Sequence, residues 1–501
     1  MLKAIEYINR FVWGVPALIL ILGVGLYLSI ATNFIQLRLF PKAICSFAAK
    51  LRPTKDDDRS VSPFQALCTA LAATVGTGNI AGVAGAIAIG GPGSIFWMWI
   101  CALIGMVTKF AEAVLAVHFR TRNKDGVYIG GPMYVITKGL GEHWSWLAVI
   151  YSFLGVVAAF GMGNATQVNA VITGINGALE FFGGQESVAG NLLIALVLSA
   201  LLTLVLLGGA KRIGMIAEYL IPFAAVAYLF LCLGVLICNL NAVPYAFRTI
   251  LLGAVSPRAV TGGFVGSAFV ALRIGISRGV FTNEAGMGTA SIAHAAAGVK
   301  HPVEQGLMGI MEVFLDTIVI CTMTALVILC SGTEIPFGFD EGAALTTRAF
   351  AATYGDWVSV PIAGFLCCFA FATVLGWGLY GVRCAQYLLG EKAWKPFIIL
   401  QAVIVVLSAL LKTGTIWMLS EAMNGLMAIP NLIALACLAP VVVQLINDYR
   451  KFGDTLADGG TNEDIDQCRT LPTITYAQIS SSCCSSERKR EKDISSEYWS
   501  A

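Results

Sequence analysis

The chain has 501 residues, 57% of them hydrophobic and 12% charged, with a formal net charge of +2 and a mean hydropathy of +0.77. Soluble domains carry about 25% charged residues, so an ordinary soluble domain is excluded and a polytopic membrane protein surrounded by lipid, with no nucleic-acid partner, is expected. At roughly 20 apolar residues per crossing, eleven segments qualify as spans: 12–32, 63–90, 93–118, 146–176, 189–209, 213–238, 260–292, 303–331, 360–388, 395–412 and 418–445.

Span 1, "FVWGVPALILILGVGLYLSI", is not followed by a small-residue cleavage pattern and reads as a retained helix instead of a signal peptide. The loop after it, "RLFPKAICSFAAKLRPTKDDDR", is basic, and so is "RTRNKDGVYIGGPMYVITKG" after span 3, whereas "EFFGGQE" and "GTEIPFGFDEG" are acidic or poor in Lys and Arg. Positive residues mark cytoplasmic loops. The N-terminus is therefore expected outside and the C-terminus in the cytoplasm, in the plasma membrane, or the inner membrane where a host has two. Most of the fourteen cysteines lie within spans or in the tail, and no structural disulfide is expected in a reducing cytosol.

Span 2 is interrupted by "ATVGTGN", residues 73–79, between two half-length apolar pieces. Glycine costs about 1 kcal/mol per helical position relative to alanine, and backbone that leaves the helix at membrane depth is tolerated only where it is buried or lines a cavity. The break marks a candidate binding site, with close helix packing by Gly76, Gly78 and Gly82 as the plainer reading. Unpaired N–H groups of Gly76, Thr77 and Gly78 suit a carboxylate, and Thr74 and Asn79 offer oxygens to substrate or ion.

Lys109 and Glu112 in span 3 are i and i+3 and are expected to pair as a structural bridge. In span 4, "AAFGMGNATQVNAV" places Asn164 and Gln167 three apart on one helical face, either for substrate contact or to tie helices together. Span 7 repeats the interruption in "SRGVFTNEAGMGT", where Asn283, Glu284, Gly286 and Gly288 form a second discontinuous segment and a gating candidate; Arg273 or Arg278 pairing with Glu284 is the structural alternative. In span 9, Thr373 and Trp377 are four apart and suggest a pocket wall, although a Trp can also anchor a span end. Glu218, Glu312, Asp316 and Glu421 are further carboxylates able to hold an ion or proton, and the sequence does not rank them.

Two interrupted spans separated by four intact ones fit a five-plus-five inverted repeat with discontinuous first helices. The expected organisation is an extra helix and basic loop over 1–60, a first repeat over 61–240, a second over 241–449 and a disordered cytoplasmic tail over 450–501, which contains Cys483 and Cys484. A channel reading of "TVGTG" fails because the motif occurs once and inside a full-length span. A membrane enzyme is disfavoured because the four histidines form no metal-ligand or nucleophile constellation.

The stretches "ATVGTGNIAGVAGAIAIGGPGSIFWMW", "GMVTKFAEAVLAV", "GGPMYVITKGLG" and "RGVFTNEAGMGTASIAHAAA" resemble the alanine or glycine:cation symporter family, the sodium:alanine symporters, over about residues 10 to 450. The resemblance implies an all-α, leucine-transporter-type fold of the amino acid–polyamine–organocation superfamily. It further implies import of small neutral amino acids, alanine or glycine, coupled to Na⁺, or to H⁺ in some members, by alternating access and without an enzymatic cofactor. Carried over by motif, substrate contacts fall on Gly76, Thr77, Gln167, Thr373 and Trp377. Ion ligation falls on carbonyls near Ala73 and Val75, with Asn79 and Thr373 supplying side-chain oxygen. The tail "SSSCCSSERKREKD" is longer and more charged than the family pattern.

Overall fold

In lipid every backbone polar group must be satisfied within the chain, so apolar segments of this length become helices. The computed structural model of the protein describes residues 12–51, 61–263, 265, 267–410 and 413–457. Among them the strands are confined to a hairpin, Thr121–Arg122 with Tyr128–Ile129, in the loop after span 3. Its turn closes through Asn123 Oδ1, which accepts the N–H groups of Asp125 and Val127 at 3.1 and 2.9 Å.

Among the described residues, six single helices are long and apolar enough to cross a bilayer: Gly93–His118 (span 3), Glu142–Phe181 (span 4), Val188–Leu206 (span 5), Gly209–Cys238 (span 6), Pro302–Cys330 (span 8) and Asp356–Leu389 (span 9). Two bent pairs do so together, Pro63–Thr74 with Gly78–Gly90 at 53° (span 2) and Ala422–Cys437 with Ala439–Lys451 at 58° (span 11). The other expected segments hold shorter helices: Val15–Ala31 (span 1), Ala268–Asn283 with Thr289–His294 (span 7) and Trp394–Ser408 (span 10). The last helix continues to Ala457, and the rest of the tail, with Cys483 and Cys484, lies outside the described residues. So does the Glu421 side chain.

Span 6 shows the membrane character at side-chain level. One stripe, Ile213, Ala217, Ile221, Ala224, Tyr228 and Cys232, is buried, yet Tyr219, Phe223, Phe230 and Ile237 on the opposite side are exposed and equally apolar. A helix apolar all round is at home in hydrocarbon. Inside the protein, small residues let backbones approach: a Cβ on Gly309 of span 8 would stand 3.0 Å from the Lys109 carbonyl of span 3, and one on Gly93 would run into the Gly253 backbone.

The loops sort onto two faces. On one face Val61 bridges to Ala297, the Arg120 guanidinium reaches the Ala295 and Ala297 carbonyls, and Lys124 pairs with Glu391 at 3.3 Å. This joins the connections after spans 1, 3, 7 and 9. On the other face the Gly338 N–H donates to the Ala88 carbonyl at 2.9 Å and the Tyr354 hydroxyl to Leu231 O at 2.9 Å, joining the connection after span 8 to spans 2 and 6. Sequence reading did not foresee three connecting helices, Phe40–Lys50, Val243–Val255 and Ala343–Tyr354.

Candidate functional site

Span 2 begins with a reciprocal cap. The Ser62 hydroxyl accepts the Gln65 N–H at 3.1 Å, the Gln65 side chain accepts the Ser62 N–H at 3.2 Å, and Pro63 occupies the first turn. The Gln65 amide then donates to Glu218 at 2.9 Å, so this candidate ion carboxylate is held as a tie between spans 2 and 6. The helix runs to Thr74, after which Val75 turns extended (ψ 95°) and the regular ladder stops. The Gly76 N–H goes to Asn79 Oδ1 at 2.9 Å, and a π-turn over Gly78–Gly82 restarts the helix.

Four of the expected residues converge on this break. The Thr77 hydroxyl is 3.4 Å from Gln167 Oε1. A Cβ on Gly76 would stand 2.7 Å from Thr373 Oγ1 and 3.9 Å from Gln167 Oε1. The Ala73 backbone lies against Gly376 of span 9, where a Cβ would be 2.9 Å from Ala73 N. Gly78 points elsewhere: its Cβ position is 3.2 Å from Thr282 Cγ2 and 3.6 Å from the Phe281 ring in span 7. The Thr74 hydroxyl donates back to the Ala70 carbonyl at 3.3 Å.

Asn164 and Gln167 do not share a target. A π-turn over Gly161–Ala165 inserts a residue into span 4 and rotates the next turns of the helix. The Asn164 amide therefore reaches the Gln401 carbonyl of span 10 at 3.5 Å, whereas Gln167 faces Thr77. Trp377 is fully buried against Gly163, and its indole N–H donates to Glu284 Oε1 at 3.0 Å. It is thus fixed between spans 4, 7 and 9 and is no span-end anchor.

Span 7 breaks after Asn283. Glu284, Gly286 and Gly288 have φ of 52°, 94° and 77°, and a Cβ on Gly288 would also collide with Pro132 and Asn431. Glycine is required there, and Glu284 is a strained exception. The freed N–H groups of Gly286 and Gly288 donate to Glu112 Oε1 at 2.9 and 3.0 Å, and the Asn431 amide of span 11 donates to the same oxygen at 2.7 Å.

This overturns two expected pairings. Glu112 solvates the span 7 break, and Lys109 pairs with Glu312 at 3.2 Å, because the two residues of span 3 reach different neighbours. The other Glu312 oxygen meets His294 Nε2 at 2.8 Å, and Gln305 meets His294 Nδ1 at 2.7 Å. Glu284 bonds to Thr289 (2.5 Å) and Trp377, while Arg278 faces Asp340 at 3.5 Å.

Asp316 has no counterpart in these pairs. It sits in an eight-residue π-helical stretch, Phe314–Cys321, in span 8. Its Oδ1 accepts the Asn79 amide at 2.7 Å and its Oδ2 the Thr317 hydroxyl at 2.8 Å. Thr317 Oγ1 in turn accepts the Asn283 amide at 3.1 Å and lies 3.4 Å from Thr282 Oγ1. Sequence reading missed Thr282, Thr317, His294 and Asn431, although lone polar residues in apolar spans are functional candidates by default.

A cavity of about 430 Å³ leads to the break. Thr77 and Thr166 lie at its inner end, and the exposed Glu180 and Arg348 stand at its mouth. It opens toward the face bearing the connection between spans 8 and 9. On the opposite face the Gly298 N–H donates to Val61 O at 2.8 Å and Arg120 holds the Ala295 and Ala297 carbonyls.

Comparison with known proteins agrees with this architecture. The family model described as "Sodium:alanine symporter family" matches residues 1–461. The sodium/alanine symporter AgcS of Methanococcus maripaludis is 41% identical over 460 residues, covering 89% of this chain and 97% of its own. The probable sodium/glutamine symporter GlnT of Bacillus subtilis is 35% identical, covering 88% and 89%. Among solved structures, MhsT in complex with L-phenylalanine aligns with a TM-score of 0.53 at 14% identity, covering 78% of this chain and 99% of that one, which is a likeness of fold. The protein is thus a helical, multi-pass membrane transporter with a leucine-transporter-type fold, not an enzyme, and it belongs to the sodium:alanine symporter family.

Proposed function

We propose that the protein imports small neutral amino acids, alanine and glycine foremost, together with Na⁺ by alternating access. The observation that carries this reading is the convergence of Gly76, Thr77, Gln167 and Thr373 on a helix break at the end of an open cavity. The N–H groups of Gly76 and Thr77 receive the substrate carboxylate, since an interrupted helix presents partial positive charge there. Gln167 Oε1 and Thr373 Oγ1 supply acceptors for the ammonium. Trp377, packed on Gly163, backs the site and limits side-chain size.

The coupling Na⁺ lies on the carbonyls of Ala73 and Val75 with Thr373, beside the close approach of spans 2 and 9. The basic face is cytoplasmic, which puts the N-terminus and the open cavity outside and makes the structure an outward-facing state. Residues 61–240 and 241–449 act as the two inverted halves, with 1–60 an added helix and loop. The deciding experiment is uptake of labelled alanine and glycine into proteoliposomes under an imposed Na⁺ gradient, with an H⁺ gradient as the parallel arm. Uptake driven by Na⁺ is expected; uptake indifferent to both gradients refutes symport, and uptake driven by H⁺ alone refutes the choice of ion.

A further inference from the structure

A cavity of about 430 Å³ lies at the basic face, between the ends of spans 5 and 9, the starts of spans 6 and 10 and the turn of the hairpin. Leu207, Ile213, Leu379 and Val382 give it apolar walls, and Lys211, Arg383 and Gln386 line it alongside a single carboxylate, the exposed Asp125. Arg383 differs from the other shielded cations. Lys109 has Glu312, Arg278 has Asp340 and Arg120 has two backbone carbonyls, whereas the half-buried Arg383 donates to the neutral Gln386 side chain of its own helix at 2.9 Å. Among the described residues it meets no carboxylate. A guanidinium carries five N–H donors in a planar fork, so most of its hydrogen-bonding capacity is uncommitted. Two further features add positive charge. Gly208 gives the 30-residue helix of span 6 no side-chain cap, which leaves partial positive charge at its first turn, and the Lys395 ammonium stands 5.5 Å from the ring centroid of Trp394, another lining residue.

We propose that this cavity binds the headgroup phosphate of an anionic phospholipid, with an acyl chain running into the adjoining groove between spans 5, 6 and 9. Arg383 supplies a forked contact to the phosphate, Lys211 a second positive charge, and Trp394 an amphipathic ring at the depth where such rings anchor. The groove is apolar, about 590 Å³ in volume, and is lined by Leu198, Leu201, Ile216, Leu220 and Phe371 among others. Ile216 and Leu220 follow the cavity residue Ile213 by three and seven positions, so the three share one face of span 6. They cover roughly 10 Å of helix, inside the ~15 Å depth of one leaflet.

The two halves of the site together select the ligand. A soluble phosphate would use the charges and leave the groove without a role, and a zwitterionic lipid would use the groove and leave Arg383 without net countercharge. An amphiphile with an anionic head uses both, and basic pockets between spans on the cytoplasmic side are where such headgroups bind. The naming of the leaflet as cytoplasmic rests on the orientation proposed above; the binding does not. The lipid also braces span 6 against spans 9 and 10. Two turns beyond Lys211, Glu218 of span 6 accepts the Gln65 amide at 2.9 Å, so the braced helix is the one that holds the start of span 2.

The test uses delipidated full-length protein in a neutral detergent, titrated with phosphatidylglycerol, with phosphatidylcholine of the same chains and with glycerol 3-phosphate. Native mass spectrometry reads the bound molecules and a thermal melt reads the stabilisation. Phosphatidylglycerol is expected to bind about tenfold or more tightly than phosphatidylcholine and to raise the melting temperature, with glycerol 3-phosphate far weaker than either. Arg383→Gln should cut phosphatidylglycerol affinity about tenfold and leave phosphatidylcholine unchanged, with Arg383→Lys between, since an ammonium keeps the charge and loses the fork. Ile216→Trp, which fills the groove, should weaken phosphatidylglycerol as well. Equal affinity for the two lipids, or wild-type phosphatidylglycerol binding in Arg383→Gln, overturns the proposal. Glycerol 3-phosphate bound as tightly as phosphatidylglycerol and lost in Arg383→Gln assigns the charges to a soluble phosphate and overturns the lipid. If Arg383→Gln does not yield folded protein, Lys211→Gln decides: weaker phosphatidylglycerol binding supports the site, and wild-type binding overturns it.

Discussion

Gly76→Ala isolates the space at the span 2 break from its backbone geometry. Gly76 is not among the residues with positive φ, so alanine meets no backbone strain there and the cost comes from packing. The added Cβ would stand 2.7 Å from Thr373 Oγ1, several tenths of an ångström inside ordinary contact, while Thr373 Cβ at 3.8 Å is not crowded. Thr373 cannot simply rotate away, because its hydroxyl donates to the Phe369 carbonyl at 2.9 Å. Losing that bond costs about 0.5–1.5 kcal/mol, and overpacking a tight site typically costs about 1–3 kcal/mol. If about 1.4–3 kcal/mol falls on the bound state, alanine affinity drops roughly 10- to 150-fold. The assay is the concentration dependence of alanine uptake in proteoliposomes with equal amounts of reconstituted protein. Thr373→Ala removes the colliding oxygen, so the double variant should lose less than the sum of the singles, by at least about 1 kcal/mol for residues in contact. Wild-type uptake in Gly76→Ala, or strict additivity in the double variant, refutes the geometry.

Gln167→Ala removes the acceptor facing Thr77 and should raise the alanine KM about tenfold, the value of one good hydrogen bond in a dry site, with protein still reaching the membrane; unchanged kinetics removes Gln167 from the site. Glu112→Ala strands the Gly286 and Gly288 N–H groups and the Asn431 amide, so the melting temperature in detergent should fall, by about 1 °C for each ~1 kcal/mol in a chain of this length. Glu112→Gln keeps one acceptor and should fall less; equal melting of the two variants refutes this capping role. Cysteines placed at Glu180 and at Lys124 in a cysteine-free background should react with an impermeant maleimide from opposite sides of the membrane, Glu180 from outside; the reverse pattern overturns the orientation.

The spans were legible because lipid leaves little choice: 93–118 reads as one long apolar run despite Lys109 and Glu112, and is one helix, Gly93–His118. The breaks were legible for the same reason in reverse, since only a cavity or a partner excuses glycine and asparagine at that depth. Partner choice was not legible. Lys109 and Glu112 satisfy the i, i+3 rule, yet each side chain reaches a different span, a tertiary fact that spacing cannot carry. Asn164 and Gln167 failed for a subtler cause, because the rule assumes α-helical rotation and the π-turn over 161–165 changes it. The sequence named Asp316 without ranking it, because what sets it apart is its contact with Asn79, 237 positions away.

The two breaks are satisfied by different chemistry, and the difference bears on which of them responds to a ligand. In span 7 the loose N–H groups and the Asn431 amide share one carboxylate oxygen of Glu112, and hydrogen bonds to a charged acceptor are worth about 1.5–3 kcal/mol each. That cluster ties span 7 to spans 3 and 11 with a strength a small amino acid does not match. In span 2 the Gly76 N–H rests on a neutral amide oxygen, a bond of about 0.5–1.5 kcal/mol, and a substrate carboxylate is the stronger acceptor. The exchange is therefore favourable at Gly76 and unfavourable at Gly286 and Gly288. Under the transport mechanism proposed above, ligand energy enters through span 2, and span 7 follows as a body through its contacts with Gly78 and Thr317. Weakening the Glu112 cluster should then reduce stability before it alters alanine affinity, whereas changes at Asn79 should alter affinity before stability.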